Sequence, residues 1–339
     1  MAHQSQTSRT ILVTGGGGFL GKAIIRLLAA RGDRVFSFSR NYYPELEKLG
    51  VQQIQGDIRD AAAVENACRG KDSVYHTAAK AGVWGDYRTY YQINTEGTLH
   101  VIAACRTCNV SRLIYTSSPS VIFNGCNMEG VDESCPYPET YPAFYPETKA
   151  LAEQAVRLAG QQKDSKLRTI SLRPHLIWGP GDNHLVPRIL KRGKYLRRIG
   201  DGKNLVDVVY IDNAAKAHFL AEDALIRNPE FSGNVYFISQ GKPVFLWKMV
   251  DDILQAGGLP SVKRSISQPM ALRIGAFLEQ VYSIFPFKGE PPMTRFVARE
   301  LSTAHWFDIS AARRDLMYFP EISIEEGLRR LSDSLKPFY

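Results

Sequence analysis

A chain of 339 residues, with 44% apolar and 22% charged side chains, can bury a large core and is not a disordered polypeptide. Its net charge of +8 is scattered, and the densest run (Lys191, Arg192, Lys194, Arg197, Arg198) has little aromatic interleaving, which argues against a nucleic-acid binder. Five cysteines in a chain this long argue against a disulfide scaffold, and no stretch reaches the ~18 uninterrupted apolar residues of a membrane span.

Met1 to Arg9 is polar and has no apolar core of a signal peptide, so a cytoplasmic protein is expected. Thr10 to Val13 reads as a strand that runs into Thr14-Gly15-Gly16-Gly17-Gly18-Phe19-Leu20-Gly21. A helix follows with Ile24, Ile25, Leu27 and Leu28 on its apolar face, then a strand from Arg34 to Phe38. The alternation continues with a strand Val51 to Ile54, a helix Ala61 to Cys68 and a strand Ser73 to His76. A helix Asn94 to Cys108 and a strand Arg112 to Thr116 come next, then a helix Tyr145 to Gly160 and a strand Thr169 to Arg173. Such alternation implies a parallel sheet covered on both faces, a Rossmann-type doubly wound α/β fold.

Beyond Pro174 the pattern degrades. Gly179 to Gly202 reads as irregular. Val206 to Val209 and Val235 to Ile238 read as short strands around a helix Asn213 to Leu225, and from about Val244 the chain reads as mostly helical. The expected plan is a dinucleotide-binding domain over 10–178, to which 206–240 returns. A smaller, mostly helical C-terminal substrate-binding part comprises 179–205 and 241–335. Cys105 and Cys108 form a C-x-x-C inside a helical pattern and read as structural cysteines. The seven histidines show no ligand spacing, so no metal site is expected.

A strand, a glycine-rich turn and a helix in succession are what a dinucleotide pyrophosphate needs. Gly15, Gly18 and Gly21 allow close approach, and the helix N-terminus at Phe19 and Leu20 offers free N–H groups. The second strand ends in Ser37-Phe38-Ser39-Arg40-Asn41, with no acid for a ribose diol. Ser39 and Arg40 instead suit a 2′-phosphate, which points to NADP(H). Asp57, in Gly56-Asp57-Ile58, is placed to contact the adenine, with a turn aspartate as the lesser reading.

Tyr145-Pro146-Glu147-Thr148-Lys149 puts a phenol and an ammonium at i and i+4 on one helix face, and Pro146 fits a first turn. A nearby lysine cation and the helix N-terminus favour a phenolate, giving a proton donor and acceptor for a carbonyl/alcohol pair. Ser118, at the end of the Arg112 to Thr116 strand, can hold the reacting oxygen beside Tyr145, with Ser117 the second candidate. Asn94 reads as a helix N-cap or as an anchor behind Lys149.

Thr14 to Gly21, Ala78-Ala79, Tyr115-Thr116-Ser117-Ser118, Tyr145/Lys149 and Arg173-Pro174 together resemble the extended short-chain dehydrogenase/reductase family. The run Arg173-Pro174-His175-Leu176-Ile177-Trp178-Gly179-Pro180-Gly181-Asp182 is similar to its 3β-hydroxysteroid dehydrogenase branch. His76 to Gly85, Trp178 to Arg188 and Ile322 to Leu328 resemble, more narrowly, reductases of 2-alkyl-3-oxoalkanoic acids in bacterial olefin biosynthesis. This resemblance implies Ser118, Tyr145 and Lys149 as catalytic residues. It implies Gly15, Gly18, Phe19, Leu20, Gly21, Ser39, Arg40, Asp57, Ile58, Ala78, Ala79 and Lys149 as cofactor contacts, with NADP(H) as cofactor. It also implies a long-chain β-keto or β-hydroxy acid as substrate, a homodimer, and assembly with other pathway enzymes that can bring the protein to a membrane.

His184 and Arg188 are candidates for the substrate carboxylate, and Trp84 for shaping the pocket. The apolar stretch Met270 to Phe285 is too short to span a bilayer. It reads as a core helix, a lipid-channel wall, or a face for a membrane or partner. Three other readings compete: a steroid or sterol 3β-hydroxy dehydrogenase, a sugar-nucleotide epimerase or dehydratase, and a non-catalytic NADP-binding regulator. Against the dehydratase, Ser118-Pro119-Ser120 stands where Thr-Asp-Glu would; against the regulator stands the Tyr145/Lys149 pair.

Overall fold

The computed structural model describes residues 8–285, 287 and 289–336. Seven parallel strands form its main sheet. In chain order they are β1 (Thr10–Thr14), β2 (Arg34–Ser39), β3 (Gln52–Gln55), β4 (Ser73–His76), β5 (Arg112–Thr116), β6 (Arg168–Pro174) and β7 (Asn234–Ile238). Their order across the sheet is β7-β6-β5-β4-β1-β2-β3. The sequence direction reverses between β1 and β4, and ligands of such sheets bind beyond the carboxyl ends of the strands at that reversal.

The pleat divides the core. Ile11 and Val13 of β1 face one layer, with α1 (Phe19–Ala30) packed on a long helix Ile211–Arg227. Leu12 faces the other layer, made by Ala61–Cys68, Gly97–Thr107 and Phe144–Gln161. Burying both faces of the sheet accounts for strands that read as continuous apolar runs, such as Ile11 to Val13.

Several boundaries differ from the sequence expectation. β3 starts one residue later. The helix expected to open at Asn94 begins earlier, as a short helix Tyr87–Tyr90 that passes through a π-helical turn Tyr91–Glu96 into Gly97–Thr107. Asn94 is therefore inside a helix and is no N-cap. Gly179 to Gly202 is not irregular throughout, because the Asp182 carboxylate accepts the N–H groups of His184, Leu185 and Val186 and starts a helix Leu185–Arg192.

Val206 to Val209 is not one strand. Leu205–Val206 joins a small sheet with Val244–Phe245, His305–Phe307 and Met128–Val131, whereas Val209–Tyr210 pairs with Ile177–Trp178. Between them Asp207 turns inward to accept the Phe307 N–H at 2.9 Å. The C-terminal third thus carries strands as well as helices. Cys105 is buried and Cys108 half-buried, and both are free thiols.

Candidate active site

Because the seven strands are parallel, the turns after β1, β2, β4 and β5 share one edge of the sheet. That edge brings together Gly15–Gly21, Ser39–Arg40, Ala78–Ala79 and Ser117–Ser118. Gly18 is the N-cap of α1 with no side-chain cap, so the N–H groups of Phe19, Leu20 and Gly21 are free for an anion. A side chain at position 21 would collide with the Gly15 carbonyl oxygen, so this close approach requires glycine. The main chain of Ala78 lies against Gly15, held by Thr77, whose hydroxyl donates to the Thr14 carbonyl at 2.7 Å. Free N–H groups over a backbone-only cradle fit the pyrophosphate of a nicotinamide dinucleotide.

The other cofactor candidates fall into two groups. Arg40 is exposed at the end of β2, and among the described residues its guanidinium makes no hydrogen bond. The Ser39 hydroxyl donates to the Asn41 carbonyl at 3.1 Å. Asp57 is already engaged: its carboxylate accepts from the Arg59 N–H at 2.9 Å and from the Arg59 guanidinium at 3.0 and 2.7 Å. Those bonds hold Asp57 below the usual carboxylate range. Ile58 is buried against Gly97, and its carbonyl faces the His100 ring at 3.1 Å. Tyr43, not identified from the sequence, lays its ring against Gly17, with the Lys22 ammonium 5.0 Å from the ring centroid.

Tyr145 and Lys149 share a face of the helix Phe144–Gln161, with Pro146 in the first turn where no N–H is needed. Ser118 caps a 3₁₀ turn Pro119–Ile122: its hydroxyl accepts the Ser120 N–H at 3.2 Å and pairs with the Ser120 hydroxyl at 2.9 Å. The nearby Ser118 hydroxyl pulls the Tyr145 phenol down, yet burial outweighs that pull and Tyr145 stands above the ordinary phenol value. Lys149 follows one helical turn along. Its ammonium is buried, donates to the Thr116 carbonyl at 2.6 Å and sits 4.2 Å from the Tyr115 ring centroid. Burial pushes it down to about 7, against the pull of Glu153.

Asn94 braces this pair. Its amide accepts from the Lys80 N–H at 2.7 Å and donates at 3.1 Å to both the Lys80 carbonyl and the Thr148 hydroxyl. It thus ties the turn after β4 to the residue before Lys149. A π-turn at such a position is a frequent mark of a functional site.

Ser118 and Tyr145 open into a cavity of about 270 Å³ whose wall includes Val83, His175, His184, Arg188, Glu300 and His305. The two candidates for a substrate carboxylate, His184 and Arg188, are therefore brought to the same space as Tyr145. His175 and His305 were not identified from the sequence. Their rings meet at 2.7 Å, and the far nitrogen of His305 lies 2.8 Å from the Glu300 carbonyl. That carbonyl can only accept, so His305 donates from Nε2 and His175 donates from its own Nε2 to His305 Nδ1. Burial pushes the Glu300 carboxyl up and the His175 imidazole well down.

Trp84 meets Tyr282 edge-to-face at 6.5 Å, which joins the turn after β4 to the helix Gln268–Ile284. That helix buries only Ala271 and Gly275, and exposes Met270, Ile274, Phe277 and Ile284 in one stripe, followed by Phe285 and Phe287. The core-helix reading of Met270 to Phe285 is overturned. Among the described residues no helix is long and apolar enough to cross a membrane.

Comparison with known proteins agrees with this geometry. The model of the 3-beta hydroxysteroid dehydrogenase/isomerase family matches residues 12–268. The chain is 51% identical over 328 residues to the 2-alkyl-3-oxoalkanoate reductase of Stenotrophomonas maltophilia (strain K279a), covering 96% of this chain and 98% of that one. It is 36% identical to the decarboxylating sterol-4-alpha-carboxylate 3-dehydrogenase of Schizosaccharomyces pombe, covering 93% and 94%. Among solved structures, the UDP-glucuronic acid 4-epimerase of Bacillus cereus in complex with NAD superposes with a TM-score of 0.74 at 22% identity, over 97% of this chain and 99% of that one, a likeness of fold. The chain belongs to the 3-beta hydroxysteroid dehydrogenase/isomerase family, a branch of the extended short-chain dehydrogenases/reductases, and is an oxidoreductase of CH–OH or keto groups.

Proposed function

We propose that the chain reduces a long-chain 2-alkyl-3-oxoalkanoic acid to the 2-alkyl-3-hydroxyalkanoic acid with NADPH, and the reverse with NADP⁺, in a route to olefinic hydrocarbons. One observation carries this reading: Ser118, Tyr145 and the guanidinium-bearing Arg188 border a single cavity. The two relatives described above support it. Their names share one chemical element, a reacting oxygen on the carbon next to the carbon that bears a carboxylate. A proton donor and a cation within one small space suit that element.

The nicotinamide, when bound, supplies or accepts the hydride. Ser118 positions the substrate oxygen, and Tyr145 gives it a proton. A phenol held above its ordinary value carries that proton at neutral pH, the form that the reduction needs. Lys149 would hold the cofactor beside Tyr145, and Phe19, Leu20 and Gly21 the pyrophosphate. Ser39 and Arg40, with no acid at the end of β2, favour the 2′-phosphate of NADP(H).

At about 270 Å³ the cavity is smaller than most ligand pockets (roughly 300–1,000 Å³), so it takes the reacting head and not two long tails. The tails leave toward the surface that Trp84, Tyr282 and the exposed face of Gln268–Ile284 provide.

The test is a substrate panel: 2-alkyl-3-oxoalkanoic acids of graded length beside 3β-hydroxysteroids with and without a 4-carboxyl group, followed by NADPH absorbance. Turnover of the linear acids is expected. Preference for a steroid would replace this reading with the sterol one. Tyr145→Phe should cost at least about 10³-fold in kcat, within the range of losing a positioned proton donor, and leave NADPH binding intact. Full activity in that variant would remove Tyr145 from the chemistry.

A further inference from the structure

Arg188 is the one lysine or arginine among the described residues that line the cavity, and its charge is already met from within the chain. Its Nη2 donates to Glu290 Oε2 at 2.6 Å, and the other oxygen of Glu290 accepts the Val83 N–H at 2.9 Å. The space comes from Gly82, whose φ of +126° suits glycine and where any side chain would collide with Glu290 Oε1. The neighbouring Arg192 is turned away and donates to the Pro292 carbonyl at 2.8 Å.

A guanidinium from one element, a main-chain N–H from another and a glycine that clears the room between them constitute a carboxylate receptor. Ala81, Gly82, Val83 and Arg188 all line the cavity that Ser118 and Tyr145 share, so the receptor belongs to the substrate space. Glu290 reaches it from the segment that follows the exposed helix.

We propose that Glu290 is an internal stand-in for the substrate carboxylate: it fills the receptor formed by Arg188 and the Val83 N–H, and an acid substrate binds by displacing it. The inference rests on the acid-substrate reading above. The side chains are 42% (Arg188) and 24% (Glu290) exposed, so the pair is of the weak, exchangeable kind and a released Glu290 carboxylate reaches water. An incoming acid exchanges one carboxylate for another and leaves no unpaired guanidinium. A neutral ketone has nothing to exchange and meets a receptor that stays filled. Glu290 therefore sets specificity by competition and is not a catalytic residue.

The experiment uses the full chain and two probes, a 2-alkylalkanoic acid without the keto group and its methyl ester, with affinities from calorimetry. Glu290→Gln should tighten the acid roughly tenfold, the scale of one charge-assisted hydrogen bond, and leave the ester unchanged. Arg188→Gln should erase the preference for acid over ester. A wild type that prefers the acid, with Glu290→Gln bringing no gain, sinks the stand-in while the acid-substrate reading survives. A wild type that prefers the ester, with acid affinity appearing in Glu290→Gln, upholds the receptor and sinks the acid-substrate reading. Equal weakening of both probes by Glu290→Gln would reduce Glu290 to a structural brace and overturn the proposal.

Discussion

Arg40 and Arg188 show how differently two arginines of one site are prepared. Arg40 stands at the end of β2 with a guanidinium that makes no hydrogen bond among the described residues, whereas Arg188 is paired with Glu290. If Arg40 binds the 2′-phosphate, Arg40→Ala should raise the KM for NADPH by about tenfold or more and leave that for NADH nearly unchanged, because one charge-assisted contact is lost from one cofactor only. An unchanged ratio of the two KM values would remove Arg40 from cofactor selection. Arg40 could be named as a candidate from the sequence because its cue is local: it follows a strand at the place where an acid would otherwise stand. Tyr145 and Lys149 were legible for the same reason, being one helical turn apart. Glu290 was not, since its partner Arg188 lies 102 positions away, and His175 and His305 are separated by 130. No periodicity links such pairs. Only the folded chain brings them to one cavity.

Among elements, the alternation of strands and helices up to β6 was legible because each element buries a face whose period is its own. The failures have a common cause. Asp182 starts the helix Leu185–Arg192 inside a stretch whose glycines and basic residues read as irregular, and Asp207 turns inward and splits an apparent strand in two. In both cases one polar side chain bonding the main chain decides the structure, and hydrophobic pattern does not register it. Asn94 is the most consequential instance. It sits in the π-turn Tyr91–Glu96, is buried, and binds both main-chain groups of Lys80 and the Thr148 hydroxyl. Asn94→Ala should cost about 2–3 kcal/mol of stability, since it strands polar groups that have little water to turn to. It should also lower kcat, through the loosened helix that carries Tyr145 and Lys149. Chemical denaturation and single-turnover kinetics check both. Unaltered stability would mean that water replaces the amide, and unaltered kcat would mean that the π-turn does not position the pair.

At the scale of the whole molecule, the sheet is pinned at both ends by groups whose charge depends on folding. At the amino ends of the strands, Glu222 of the helix Ile211–Arg227 accepts from Arg9 and Arg31 at 2.9 Å each and from Tyr75 at 3.0 Å, and it also pairs with Ser73 and Arg112. These partners offset its burial and hold Glu222 below the usual carboxylate range. Toward the carboxyl ends, His76 is buried between the Thr14 and Thr98 hydroxyls at 2.7 and 3.0 Å, and His218 lies 2.8 Å from the Thr116 hydroxyl. Burial, with Lys149 nearby, pushes His76 down to about 3, and burial pushes His218 down to about 4. An unfolded histidine titrates near ~6.5, so between that pH and the folded values the unfolded chain binds more protons and stability falls as pH falls. Carried to completion, each histidine costs several kcal/mol. Glu222 acts later and adds to them: its contribution is present above the unfolded carboxylate value and is lost as pH falls through the lower folded one. The melting temperature should therefore drop between pH 6.5 and 4.5, above the range in which Glu222 takes up its proton, and drop again more steeply in stronger acid. His76→Gln, which keeps a donor and an acceptor between Thr14 and Thr98 but cannot titrate, should shrink the first drop, with the His218 share remaining, and leave the second. A wild-type melting temperature constant from pH 6.5 to 4.5 would mean that the two imidazoles are protonated in the folded chain, and that the sheet tolerates charge at the heart of its cofactor edge.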